Sequence, residues 1–311
     1  MRLNKGIVTA FQLILNVFFS ILIILLNKWL YVNIGFPNIT LSMIHFTITF
    51  IGLIISEKFD VFCIKDIAIK EIFFISMIFC GSVVFTNLSL AENTVSTYQM
   101  AKMLITPCAV IMQIILYKKH FSTLVRITLV PITLGVVVTL YHDMQLNFIK
   151  TVYAVVGVLL TSLYQVMVNR KQREFQMDPM QLLYYQAPIS AVLLFFVVPL
   201  LEPLEQTFAR GWSLIETALV LVSGIVTFLV NLTSYWFIGK TTPLTYSMVG
   251  YYKFCLILLS SSLVFEETLC IYQALGIILT LAGTILYSHV KMRDTQAVQN
   301  KDKEKRPLYS I

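Results

Sequence analysis

Ten apolar stretches of membrane-crossing length, joined by short polar connections, leave this chain few folds. They run at roughly 8–31, 40–56, 71–90, 95–117, 125–141, 151–169, 181–199, 214–238, 244–265 and 270–290. About 20 apolar residues carry a helix across the hydrocarbon layer. Inside that layer only helices and closed barrels satisfy their own backbone. Of the 311 residues, 58% are hydrophobic and 13% charged, with mean hydropathy +0.80. Soluble domains carry about 25% charged residues, so a soluble fold of this length has no place for so much apolar surface. The expected fold class is an all-α integral membrane protein of ten transmembrane helices.

Charge distribution predicts how the chain sits. The basic start and first apolar run resemble a signal peptide, but the run is too long and lacks a small-residue cleavage site, so it reads as the first span. Ten spans put both termini on one side. Of the 23 Lys and Arg residues, only Lys150 and Arg210 then fall on the opposite side, and Lys28, Lys102 and Lys253 fall inside spans. The rest lie with the termini, which the positive-inside rule assigns to the cytosol. Residues 1–290 read as one transporter-like domain and residues 291–311 as a basic, disordered cytosolic tail. The net charge of +7 follows from this asymmetry, and no basic patch interleaved with aromatics points to nucleic acid. Cys63, Cys80, Cys108, Cys255 and Cys270 show no paired spacing and read as small apolar residues. The sequon at Asn38 abuts the second span too closely to favour modification.

A weak internal echo divides the domain. Thr97-Tyr98-Gln99-Met100 opens the fourth span and Thr245-Tyr246-Ser247-Met248 the ninth, 148 residues apart, and the same offset carries Gly135 onto Gly283. Asn27 and Pro37 map onto Asn169 and Pro179 at an offset of 142. Two five-span repeats, about 8–141 and 151–290, are expected; because five is odd, the second enters the membrane inverted, an arrangement suited to alternating access around a central site.

The intramembrane lysines carry the chemistry. Each costs about 2.5–3.5 kcal/mol by insertion scales and faces a partner or cavity by default. Lys102 in the fourth span and Lys253 in the ninth sit on corresponding helices, three residues out of register, which keeps them on similar faces. Glu57, Glu71, Glu92 and Glu216 all lie near span ends, so neither lysine has an acidic partner in sequence and the counter-charge is expected as an anionic ligand. Tyr98, Tyr246, Tyr252 and Asn231 are candidates for base, sugar or gating contacts, with Lys28 and Tyr235 as weaker ones. Lys28 lies near enough to a span end to reach the interface instead. Pro107, Pro131 and Pro188 suggest bent spans, Gly135, Gly276 and Gly283 close helix contacts, and His45 a structural role. No nucleophile, metal or phosphate-loop motif appears, so neither an enzyme nor a cofactor is expected. A homodimer is compatible with the sequence, without a residue that demands it.

Asn27-Lys28-Trp29 with Gly35-Phe36-Pro37, and Gln99-Met100-Ala101-Lys102 with Pro107, resemble the nucleotide-sugar and triose-phosphate translocator branch of the drug/metabolite transporter superfamily. The stretch from Thr245 through Lys253-Phe254-Cys255 to Gln273-Ala274-Leu275-Gly276 is similar to solute carrier family 35, subfamily E. The resemblance implies a ten-helix inverted-repeat fold, a Golgi membrane location and antiport of a nucleotide sugar, UDP-sugars favoured, for a nucleoside monophosphate. It also implies phosphate binding by Lys102 and Lys253. Phe254 stands where phosphate-translocating relatives carry an arginine, which disfavours triose phosphate or free phosphate. Two alternatives stay open: a carrier of another phosphorylated metabolite or organic anion, and a non-transporting membrane scaffold that keeps the fold.

Overall fold

The computed structural model describes residues 5–144, 148–202, 209, 211–238, 243–267 and 270–304; within these, the side chains at 5–10, 142–144, 236–238, 243–248 and 298–304 are outside the description. The helices are α1 (Lys5–Trp29), α2 (Asn38–Lys58), α3 (Ile69–Glu92), α4 (Val95–Met103 continued by Ile105–Tyr117), α5 (Thr123–Met144), α6 (Phe148–Phe175), α7 (Pro179–Leu201), α8 (Leu214–Ile238), α9 (Pro243–Phe265) and α10 (Ile271–Glu304). Among the described residues, nine of these are long and apolar enough to cross a bilayer, and Val249–Phe265 of α9 adds a shorter apolar stretch. Large apolar side chains are left outside, with Leu214 87%, Leu263 84% and Leu200 81% exposed. Lipid solvates such a surface and water does not.

Several helix ends follow from local chemistry. Leu30–Ile34 winds as a π-helical turn before Gly35, whose φ of 69° ends the segment in the left-handed region that glycine tolerates. Asp178 and Gln181 form a capping box that opens α7. Pro107 has no N–H for the Met103 carbonyl, and its ring crowds that turn. The helix breaks there: Leu104 N–H bonds Ala101 O at 3.0 Å, three residues back, before α4 resumes. Lys102 therefore sits in the last turn of the first half of α4. Pro131 and Pro188 leave α5 and α7 continuous. The helix of α10 runs to Glu304, so residues 291–304, expected as disordered tail, are helical. Lys, Gln, Glu, Arg and Ala dominate this stretch and all favour helix; the remaining tail, 305–311, lies outside the described residues.

The helices pack as pairs drawn from both halves of the chain. α5 pairs with α10, α2 with α7, α3 with α6 and α7, α8 with α1 and α2, the second half of α4 with α6, α1 with α9, and the first half of α4 with α9. The α5–α10 pair is the tightest. A Cβ on Gly135 would lie 2.6 Å from Gly276 O and also meet Thr280 Oγ1, and one on Gly283 would lie 2.9 Å from Ile132 N. Such backbone approach is how helices associate where no hydrophobic effect drives them together.

Polar contacts tie the helix ends at each face. At the face reached by the carboxyl ends of α1 and α3, Glu202 accepts from Ile39 N (2.6 Å), Thr40 N (3.0 Å) and Thr40 Oγ1 (2.6 Å) at the start of α2. Glu267 accepts from Val95 N (2.8 Å), Ser96 N (3.3 Å) and Ser96 Oγ (3.2 Å) at the start of α4. Each carboxylate thus meets the orphan amides and positive dipole end of a helix from another part of the bundle. Lys28 Nζ closes the same face by donating to Ala91 O (3.0 Å) and Asn93 O (2.7 Å) at the end of α3. At the opposite face Tyr185 Oη donates to Lys65 O (2.7 Å) and Gln181 Nε2 to Cys63 O (2.7 Å).

Gly135→Ala should lower the thermal midpoint in detergent, because overpacking against backbone costs about 1–3 kcal/mol. Gly250→Ala, whose Cβ would meet nothing within 4 Å, should leave the midpoint unchanged. Equal midpoints for both variants would contradict the close α5–α10 contact.

Candidate functional site

A cavity of about 870 Å³ runs into the bundle between α1–α4 and α6–α10. That volume falls within the ~300–1,000 Å³ typical of ligand sites. It reaches Gln113, Asn169 and Lys291 toward the face where α4, α6 and α10 end, and is floored at its other end by Asn27, Leu90, Tyr98, Gln99 and Ile257. The floor lies beneath the face tied by Glu202, Glu267 and Lys28. Among the described residues, the cavity is thus open toward one face and closed toward the other.

Lys102 and Lys253 both line this cavity. Lys253 Nζ donates to Asn16 Oδ1 (2.9 Å) and Ser20 Oγ (3.0 Å) of α1. Asn16 is fixed in turn by donating through Nδ2 to Thr233 Oγ1 (3.0 Å) and Ser234 Oγ (2.9 Å) of α8. Lys102 Nζ donates to Tyr98 Oη at 3.2 Å and lies 4.9 Å from the Tyr98 ring centroid, a cation–π distance. These partners are neutral: among the described residues, neither ammonium lies in an ion pair. Positive charge is therefore presented to the cavity with its compensation missing.

The other sequence candidates scatter. Tyr98, 5% exposed, and Asn231 line the cavity; Asn231 Nδ2 donates to its own helix at Thr227 O (3.1 Å). Tyr252 is 60% exposed and outside the lining, whereas Tyr251 lines the cavity, its hydroxyl donating to Thr284 O at 2.8 Å and contacting Ser288 Oγ. Helical geometry explains the exchange. At about 100° per residue, Gly250, Lys253, Phe254 and Ile257 share the cavity face, Tyr251 stands at its edge and Tyr252 behind it. Tyr235 packs with Leu53, Phe62 and Met180, away from the lining. Lys28, only 8% exposed, is occupied by the α3 carbonyls. The side chain of Tyr246 lies outside the described residues.

Phe254 is 3% exposed and packs with Met100, Val136, Leu140, Leu258 and Ile277 where α4, α5, α9 and α10 meet. These contacts are apolar. His45, 5% exposed, pairs through Nε2 with Ser223 Oγ (2.8 Å) and through Nδ1 with Thr227 Oγ1 (3.3 Å), joining α2 to α8 while edging the cavity. At the mouth, burial and the nearby Lys291 and Arg173 hold Lys119 below the ordinary lysine range. Clustered cations at an opening raise the local concentration of anions.

Comparison with known proteins places this arrangement. The chain is 31% identical over 315 residues to UDP-xylose transporter 2 of Arabidopsis thaliana, covering 97% of this chain and 89% of that protein. It is 30% identical over 313 residues to UDP-xylose transporter 3 of the same plant, covering 96% and 88%. A solved crystal structure 16% identical in sequence superposes with a TM-score of 0.59 over 88% of this chain and 98% of the other, which shows a shared fold. Residues 7–288 match the model of the Triose-phosphate Transporter family. This multi-pass, non-enzymatic membrane protein, with two uncompensated lysines in one central cavity, belongs to the Triose-phosphate Transporter family.

Proposed function

We propose that the protein is an antiporter that exchanges a nucleotide sugar, a UDP-sugar by preference, for a nucleoside monophosphate across an endomembrane, with Golgi the favoured compartment and both termini in the cytosol. The observation that carries this reading is the pair Lys102 and Lys253 lining one cavity with only neutral partners. A phosphate-bearing ligand supplies the missing charge through charge-assisted hydrogen bonds. The relatives named for UDP-xylose favour a nucleotide sugar over a smaller phosphate, and the apolar setting of Phe254 argues the same way. Tyr98, Tyr246, Tyr252 and Asn231 were the further sequence candidates; of these, Tyr98 and Asn231, joined by Tyr251, are proposed to contact the ligand.

Exchange follows from the charge. Enclosing two ammonium groups without an anion is costly, so loaded carrier reorients more readily than empty carrier. An inverted two-fold repeat supports such a motion. Exchanging each helix with the one five later turns the α1–α8 pair into α6–α3, α2–α8 into α7–α3 and α1–α9 into α6–α4, and maps α2–α7 and α5–α10 onto themselves; every one of these pairs is packed. In this reading Glu202 and Glu267 latch the lumenal side while the cavity faces the cytosol, and alternation breaks those contacts.

Counterflow in proteoliposomes preloaded with UMP, GMP, CMP, AMP or phosphate, against nucleotide sugars and sugar phosphates, tests the substrate. Uptake should require a nucleoside monophosphate inside, and Lys253→Ala should lower it by about thirtyfold or more, as truncating one side of a buried charged contact does. Uptake with phosphate alone inside would transfer the function to a phosphorylated-metabolite carrier, and silence from folded protein would favour a scaffold. The latch has its own test. In a background lacking the native cysteines, Leu90→Cys at the cavity floor should react slowly with an impermeant thiol reagent added from the latched side. Glu267→Ala should speed that reaction about tenfold, since a hydrogen bond to a charged group contributes about 1.5–3 kcal/mol. An unchanged rate would remove the latch.

A further inference from the structure

At the floor of the cavity, two amide side chains lack part of their hydrogen bonding. Asn27 is 6% and Gln99 5% exposed, and both line the cavity. Asn27 Oδ1 and Gln99 Nε2 are buried without a protein partner. Buried polar groups in native proteins are almost always paired, so an unpaired acceptor and an unpaired donor on two residues that line one cavity point to hydrogen bonds supplied from within it once a ligand draws them out. The side chains around them, Leu90, Tyr98 and Ile257, carry no charge.

Their height in the bundle is set by helix geometry. Gln99 is three residues, one turn, from Lys102 toward the floor. Asn27 is seven residues, two turns, from Ser20, which holds Lys253 Nζ at 3.0 Å, and lies on the same side of α1. The amide-bearing positions therefore stand one to two turns closer to the floor than Lys102 and Ser20 do along their helices, while the Lys102 ammonium reaches back as far as Tyr98. A molecule with phosphates at the lysines extends a neutral group to the amides. A hydroxyl both donates and accepts, so a ring bearing several hydroxyls matches an orphan acceptor beside an orphan donor.

Resting on the nucleotide-sugar reading above, we propose that Asn27 and Gln99 form the subsite for the sugar ring, which enters first and lies against the closed floor while the nucleoside trails toward the mouth. The two residues then discriminate among sugars, and the lysines hold what all substrates share.

Binding to purified protein in nanodiscs separates the roles. UDP-xylose, UDP-galactose and UDP-glucose would be compared with UMP, which has the phosphate, ribose and base but no second sugar. Gln99→Leu and Asn27→Leu should each weaken the tightest-binding nucleotide sugar about tenfold while UMP affinity stays within about twofold, which also reports a folded site. Lys253→Ala should weaken both ligands. Equal losses for UMP and the nucleotide sugar in the amide variants, or no loss for either, would overturn the subsite alone. Wild-type protein that binds none of the three nucleotide sugars would overturn the transport reading and the subsite together.

Discussion

An ammonium group inside the hydrocarbon layer must be solvated by the protein or by a ligand, because lipid offers it nothing. Much of this structure is organised around that constraint. The Lys253 ammonium is held by Asn16 and Ser20, and Asn16 by Thr233 and Ser234, so one charge couples α9, α1 and α8. Lys102 leans on Tyr98 within its own helix, in the last turn before the break that Pro107 imposes. All of these partners are neutral. They orient the cations without neutralising them, which suits a site that must accept and release an anion.

Closure at one face uses the opposite strategy. Glu202 and Glu267 are carboxylates placed at helix amino ends, and Lys28 is a cation placed on helix carbonyls. Each charge is satisfied by backbone dipoles at the rim of the membrane, where partial hydration lowers the penalty of separating them. On the proposed reading, strong contacts at the edge and cations with neutral partners at the centre divide the labour: the edge would hold a conformation and the centre would take a ligand. The α5–α10 pair, packed through Gly135, Gly276 and Gly283, lies between the halves.

Much of the architecture is legible in the sequence. Apolar stretches of ~20 residues carry their own meaning in a bilayer, so each expected span has a helix, with ends a few residues away except where the last helix runs on to Glu304. Lys102 and Lys253 stand out for the same reason: a charge in an apolar run is conspicuous. The contacts that make the site are less legible. Asn16 reaches Lys253 across 237 positions, and Glu267 reaches Val95 across 172; such pairing has no local signal. Tyr251 and Tyr252 are indistinguishable by composition and are separated only by helical phase. Gln99 and Asn27 are ordinary amides until the structure shows what they lack. Beyond residue 290 a high charge content points to disorder, yet many of those same residues favour helix and α10 continues to Glu304.

The central claim is that a bound anion is required for the two-lysine site to reorient across the membrane. The most direct measurement is initial uptake of a radiolabelled UDP-sugar into proteoliposomes that are either empty or preloaded with nucleoside monophosphate. Coupled exchange predicts that uptake is at least about tenfold faster into preloaded vesicles, because the empty carrier pays the full cost of two uncompensated lysines on its return. Equal rates into empty and preloaded vesicles would contradict it, and would mean that the cations reorient without a ligand.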